Sequence, residues 1–231
     1  MPDDPLALYI AAPSSVRVID VSPPSWMVEM ILHEKGVSYE RHALAFDRGE
    51  HRRPEILALN PRGTIPILVS QGQPVSETFA ILDYLERTQP APALLPAPDR
   101  PAALARALTR LHETANLKNA GMALFAYLMR TPKDAVDPAT LSEHRNGLLG
   151  ELRRMDDALA DGAYLAGDDP TLADFAAHAY VATARYLGLD LSALPRVAAH
   201  HERMAARPAI AETRSEAWVD GGRRRLAGVV Q

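Results

Sequence analysis

Polar and apolar positions along this chain follow two periods, and the change from one to the other divides it. Val16-Arg17-Val18-Ile19-Asp20-Val21 alternates and is rich in β-branched residues, which predicts a strand. Trp26 to Lys35 places apolar residues at 27, 28, 31 and 32, which predicts a helix stopped by Gly36. Val37–Leu44 reads as a second strand, and Pro54–Leu59 as a short helix after the basic loop Arg48–Arg53. Strands at Ile67–Ser70 and Pro74–Ser76 form a hairpin across Gln71-Gly72-Gln73, and a helix follows from Glu77 to Thr88. Leu6–Ala11 also reads as a strand. If it were the domain's first, however, the first helix would have to enclose Pro23-Pro24, which a helix interior rejects. Residues 1–15 are therefore read as an N-terminal extension, with Val16–Val21 as the first strand.

Between Gln89 and Pro101 five prolines fall in thirteen residues, the composition of a linker. Beyond it only the helical period persists, at 102–130, 139–160, 171–187, 195–206 and 208–217. Thr171-Leu172-Ala173-Asp174 has the spacing of a capping box. The expectation is an α+β chain with a thioredoxin-like domain containing a mixed four-stranded sheet at 1–88, a proline-rich linker at 89–101, and an all-α domain at 102–231.

Composition narrows the chemistry. The 231 residues carry a formal charge of −4, which gives no electrostatic reason to expect nucleic acid. No run of about 18 apolar residues is present, so no membrane span is expected. The acidic start, Met1-Pro2-Asp3-Asp4-Pro5, is unlike a signal peptide, which points to the cytoplasm. With no cysteine there is no disulfide, thiolate metal site or protein thiol nucleophile, so any thiol chemistry must come from a ligand. The eight histidines lack metal-ligand spacing, and no metal is expected. Abundant Ala, Arg and Pro point to a GC-rich bacterial genome.

Asn60-Pro61-Arg62-Gly63-Thr64-Ile65-Pro66-Ile67-Leu68, followed by Ser76-Glu77-Thr78 at a helix start, is the most specific pattern. A proline opening a short strand is a place where a cis bond is accessible. Uncapped N–H groups at a helix start face an anion. These two motifs, in this order and spacing, resemble the glutathione site of cytosolic glutathione transferases, and the resemblance covers the chain from Val16 to about Ala217. Ser22-Pro23-Pro24-Ser25 is similar to the Ser-Pro-x-Ser start of tau-class members. Ser25-Trp26 is similar to part of the zeta signature, with Pro23-Pro24 replacing its central Ser-Cys. Gly49 to Pro61 resembles the phi-class segment after the second strand.

What the resemblance implies is specific to each residue. Ser22 is the catalytic hydroxyl that stabilises the glutathione thiolate, or else only a helix cap. His51 and Arg52 hold the glycine carboxylate, or else belong to a solvated basic loop. The Ile65 backbone pairs with the cysteinyl moiety beside Pro66, whereas Thr64 departs from the phi pattern. Glu77 meets the γ-glutamyl ammonium and Thr78 its carboxylate, or both simply start a helix. His112, Asn116, Asn119, Ala123 and Tyr127 form one stripe of the first long helix. His112, Asn116 and Tyr127 are its candidates for a second-substrate pocket, or else the stripe is a dimer or solvent face. The implied protein is a homodimeric glutathione transferase acting on a small hydrophobic electrophile. A glutathione-dependent isomerase and a non-catalytic binding module are the alternatives. The absence of cysteine at position 22 argues against thiol transfer. Arg223-Arg224-Arg225 reads as a solvated tail.

Overall fold

The computed structural model describes residues 6–12 and 22–214, the Lys133 side chain excepted. Leu6–Ala11 (β1) is an inner strand of a four-stranded sheet, with Leu8 and Ile10 fully buried on one face. It pairs in parallel with Tyr39–Leu44 (β2), from Leu6↔Tyr39 to Ala11↔Leu44. On its other side it pairs antiparallel with Ile67–Ser70 (β3), which pairs antiparallel with Gln73–Ser76 (β4). The sheet order is β2-β1-β3-β4, the expected mixed thioredoxin-like sheet.

This arrangement corrects the reading of residues 1–15 as an extension. The place assigned to Val16–Val21, which lies outside the described residues, belongs to Leu6–Ala11. The argument from Pro23-Pro24 failed because these prolines do not enter a helix interior. They occupy the first two positions of the helix Pro23–Glu34 (α1), where an N–H would have no intrahelical partner. Proline opens other helices in the same way, at Pro54–Leu59 (α2), Pro101–Arg130 (α4), Pro138–Ala158 (α5) and Pro195–Ala205 (α7).

α1 buries Trp26 to Leu32 and ends where Gly36, at φ +64°, lets its N–H reach the His33 carbonyl and that of Val37 reach Leu32. The hairpin turn is tighter than expected. Gln71 and Gly72 alone form it, at φ +50° and +74°, the two left-handed residues that suit the strand twist. Thr78–Thr88 (α3) follows and packs on α1. Lys35 is buried, with Nζ 2.7 Å from Glu86, 2.7 Å from the Gln89 carbonyl and 2.9 Å from that of Pro92. It thus ties the start of the proline-rich segment to α1. Lys35→Met keeps the apolar stem but removes these three interactions. It is expected to cost about 2 kcal/mol, read as a lowered urea midpoint with an unchanged m-value.

The chain divides into two compact units. One runs to Leu94 and takes in the segment from Pro208; the other is Leu95–Arg207. Pro208–Thr213 (α8), expected within the helical domain, instead packs on α1, with Ile210 buried and the Trp26 indole donating to the Thr213 hydroxyl at 2.9 Å. In the helical unit, Leu172–Tyr186 (α6) is buried on nearly all sides and packs against α4 and α7, while α5 packs on α4 and α7. Asp174 at the start of α6 is fully buried. It accepts from the backbone N–H groups of Leu165 and Thr171, from the Thr171 hydroxyl, and pairs with His200 Nε2, all within 2.8–2.9 Å. The capping-box spacing thus serves a junction wider than one helix turn, with the Thr171 hydroxyl donating to Asp174.

Candidate active site

Ser22 caps α1 in an extended conformation, φ −112° and ψ 103°. Its Oγ accepts from the Ser25 backbone N–H at 3.4 Å and from the Ser25 hydroxyl at 3.0 Å, and its carbonyl accepts from Trp26 N–H at 2.9 Å. Pro23 and Pro24 have no N–H to offer. Both N–H groups that the first turn possesses at Ser25 and Trp26 are therefore engaged, and two acceptor positions on the Ser22 oxygen are filled. The Ser22 hydroxyl hydrogen is what remains to donate. Capping and donation are not alternatives here, because they use different parts of the same hydroxyl.

After β2 the chain makes a single 3-10 turn, Glu50–Arg52. Glu50 is buried and organises the basic loop around itself. It accepts from Ala45 N–H at 2.7 Å, from Arg48 at 3.1 Å and from Arg53 at 3.0 Å. The Ala45 N–H, with the Arg48 and Arg53 guanidiniums behind it, holds this carboxyl below its usual range. Arg48 and Arg53 are thereby committed. Arg52 has no carboxylate partner among the described residues, and its Nε contacts His51 Nε2 at 3.3 Å. The His51 ring stacks on Phe46, centroids 3.9 Å apart. Burial, and then the Arg52 charge, lowers the His51 pKa. The ring Nε2 accepts from Arg52, and its Nδ1 is buried with no hydrogen-bond partner among the described residues. Sequence reasoning missed Glu50, whose signal was a lone acid inside a run of arginines.

The Asn60 to Pro66 segment is shaped from within. The buried Asn60 amide donates to the Thr64 carbonyl at 2.8 Å and to its hydroxyl at 2.9 Å, and its oxygen accepts from Arg62 N–H at 3.2 Å. The Thr64 carbonyl and hydroxyl oxygens are thereby engaged as acceptors, which leaves the hydroxyl hydrogen to donate. Gly63 turns at φ +60° so close to the His51 carbonyl that a Cβ there would lie 3.3 Å from it. The Ile65–Pro66 bond is cis, and the Ile65 backbone precedes β3 and takes no part in the ladder. Ile67 pairs with Ser76, which brings Ile65-Pro66 and Glu77-Thr78 to the same end of the β3–β4 hairpin.

Glu77 stands before α3 at φ +71° and ψ 119°, a backbone conformation that costs a non-glycine residue on the order of 1–3 kcal/mol. Its exposed carboxylate lies 3.9 Å from Arg62. No side chain caps α3, and Thr78 is its first residue, with neither its N–H nor its hydroxyl bonded among the described residues. Short contacts thus link the His51 turn, the Ile65–Pro66 bend and the Glu77-Thr78 helix start. Ser22 lies in the same unit, at the start of the helix that packs on α3.

The stripe on α4 separates. His112 and Asn116 line an open depression with Leu108, Thr109 and Glu113. Asn116 also borders a cavity of about 180 Å³ with Leu117, Met155, Leu165 and Ala177. Tyr127 does not join them. Its hydroxyl accepts from Asp137 N–H at 2.8 Å and donates to the Asp137 carbonyl at 3.2 Å, closing the α4–α5 connection. At 1.5 Å per residue it sits about 22 Å along the helix from His112. The three candidates therefore share one helix face but do not line a single depression.

Residues 21–88 match the family model for the glutathione S-transferase N-terminal domain, and 118–208 match that for the C-terminal domain. Glutathione S-transferase 3 of Zea mays is 34% identical over 209 residues, 87% of this chain and 93% of that protein. A maleylacetoacetate isomerase of Rhizobium meliloti is 32% identical over 193 residues, 80% and 87% of the two chains. Among solved structures, a glutathione S-transferase from the Antarctic clam Laternula elliptica superposes with a TM-score of 0.84 at 29% identity, covering 96% of this chain and 98% of that one. With both domain models matched and relatives above 30% identity along most of its length, this chain belongs to the cytosolic glutathione S-transferase family.

Proposed function

We propose that this protein is a glutathione transferase in which Ser22 stabilises the glutathione thiolate for attack on a small hydrophobic electrophile. The observation that carries this reading is the Ser22 hydroxyl, with two acceptor positions filled by Ser25 and its hydrogen left over at a helix start that Pro23-Pro24 strips of other donors. A free thiol of this kind has a pKa of about 8.5, and donation to the charged form lowers it. The thiol proton passes to solvent. The sulfur electron pair then forms the new carbon–sulfur bond, and the electrophile's leaving group departs with its own pair.

In this reading the Ile65 backbone pairs with the cysteinyl amide beside Pro66, and Glu77 meets the γ-glutamyl ammonium. Thr78 and the uncapped start of α3 take the γ-glutamyl carboxylate. His51 and Arg52 take the glycine carboxylate, Arg52 as the guanidinium not committed to Glu50. The His112 and Asn116 depression is the proposed contact of α4 with the electrophile. Titration calorimetry of glutathione, with the thiolate absorbance of the bound form followed against pH, tests the core of the proposal. Binding with a depressed thiol pKa is expected; no binding would sink the reading in favour of an interaction module.

Arg52→Ala is expected to raise the KM for glutathione about tenfold, the loss of one charged hydrogen bond, with little change in kcat. Arg48→Ala, which removes only a Glu50 partner, should leave that KM within about twofold. Equal effects from both would mean that the loop acts as a diffuse basic patch.

The similarity to maleylacetoacetate isomerases favours a second reading, glutathione-dependent isomerisation of a cis-alkene acid. It needs the same thiolate and is separated by assaying alkene isomerisation against conjugation of an aryl halide. A cytoplasmic homodimer completes the proposal, and among the described residues no helix is long and apolar enough to cross a membrane. In this proposal Phe46 and Met122, two of the large apolar side chains that are exposed, lie at the interface between copies. Phe46→Glu with Met122→Glu should halve the mass measured by sedimentation equilibrium.

A further inference from the structure

The Ser25 hydroxyl, so far counted only as filling an acceptor position of Ser22, is buried and aimed at that oxygen. Its Oγ lies 3.0 Å from Ser22 Oγ, and its exposure is 3%. The two serines are three residues apart at the start of α1, and they meet because Ser22 is extended while Ser25 is the third helical residue. The Ser25 backbone N–H reaches the same oxygen at 3.4 Å. That longer contact is the ordinary cap, and any residue at position 25 except proline would supply it. The hydroxyl contact is an addition specific to serine or threonine.

We propose that Ser25 is a positioning residue that forms a two-hydroxyl relay with Ser22. The Ser25 hydroxyl donates to Ser22 Oγ, which fixes the Ser22 hydrogen outward and strengthens its donation to the thiolate. This rests on the reading of Ser22 as the thiolate donor. A hydroxyl that accepts a hydrogen bond becomes a better donor, by some 10–30% per link in condensed phases. It also loses rotor freedom, since with its two lone pairs taken only one direction remains for the hydrogen. Pro23 and Pro24 make the relay matter more. In a helix start with free N–H groups the thiolate would find other donors, whereas here the two nearest positions have none.

The relay predicts a pH-dependent effect of moderate size. Ser25→Ala keeps the backbone cap and removes only the hydroxyl, so folding and glutathione affinity at high pH should be nearly unchanged. The thiol pKa of bound glutathione should rise, lowering conjugation about twofold to threefold at pH 6.5, with the deficit fading above about pH 8.5 where the thiol ionises unaided. Ser25→Thr should restore the wild-type profile.

The experiment is the pH titration of the bound-thiolate absorbance in wild type, Ser22→Ala, Ser25→Ala, Ser25→Thr and Ser25→Cys, each with its thermal melt. A pKa order of wild type and Ser25→Thr lowest, Ser25→Ala intermediate and Ser22→Ala highest supports the relay. Ser25→Cys, a weaker donor, should lie between Ser25→Thr and Ser25→Ala, and it serves as the test if the alanine variant folds poorly. A Ser25→Ala pKa equal to wild type, with Ser22→Ala raised, overturns the relay and leaves the proposed function standing. An undepressed pKa in the wild type overturns both.

Discussion

Ser22→Ala is expected to lower kcat/KM for conjugation about 10- to 150-fold at pH 6.5. That range is the effect of removing one hydrogen bond to a charged group, about 1.5–3 kcal/mol. The sign with pH is defined. The hydroxyl favours the thiolate, so the wild-type complex ionises at lower pH than the variant. The deficit is full below the wild-type pKa, shrinks as pH rises towards the free thiol's value of about 8.5, and nearly vanishes above it. The variant also loses the cap of α1, at about 1 kcal/mol of stability. Activity must therefore be compared on protein shown by circular dichroism to be folded. A deficit independent of pH would mean that Ser22 acts through structure alone.

Asp174→Ala is expected to have the largest effect on stability, about 3–5 kcal/mol, read as a lowered urea midpoint or as loss of soluble protein. Asp174 is fully buried and satisfies the Leu165 and Thr171 N–H groups, the Thr171 hydroxyl and His200 Nε2. Alanine strands all four in an interior that water does not reach, the circumstance in which a lost partner costs most. Set against a typical total of about 5–15 kcal/mol, the loss is enough to change cellular abundance. Thr171→Ala removes a single contact and should cost about 1 kcal/mol. Near-equal effects of the two substitutions would mean that Asp174 acts only as a helix cap.

The fold class and most element positions were legible because they depend on local signals. Periodicity placed α4 to α7 within one or two residues, and Gly36 and Gly72 marked turns that need positive φ. The error at the N-terminus came from a rule applied one step too far: Pro23-Pro24 cannot lie inside a helix, but they can begin one, and so Leu6–Ala11 was free to be the inner strand. Which of two candidate strands enters a sheet is decided by pairing on both sides, and a sequence window does not contain the partners. The same holds for α8, a short helix whose period shows an apolar face but not that α1 is what covers it.

At the site, sequence alone determined the chemical types and their order: a serine at a proline-flanked helix start, an arginine loop, a strand-opening proline and an acidic helix start. Tertiary structure decided which of these groups are free. Glu50 draws Arg48 and Arg53 to itself and leaves Arg52 without a carboxylate partner among the described residues; Asn60 donates to both Thr64 oxygens; Asp137 occupies Tyr127; Ser25 fills the lone pairs of Ser22 and leaves its hydrogen. A residue's type fixes what bonds it can make. Whether it still has one to give depends on neighbours that folding brings within 3 Å, and only the folded chain determines those distances.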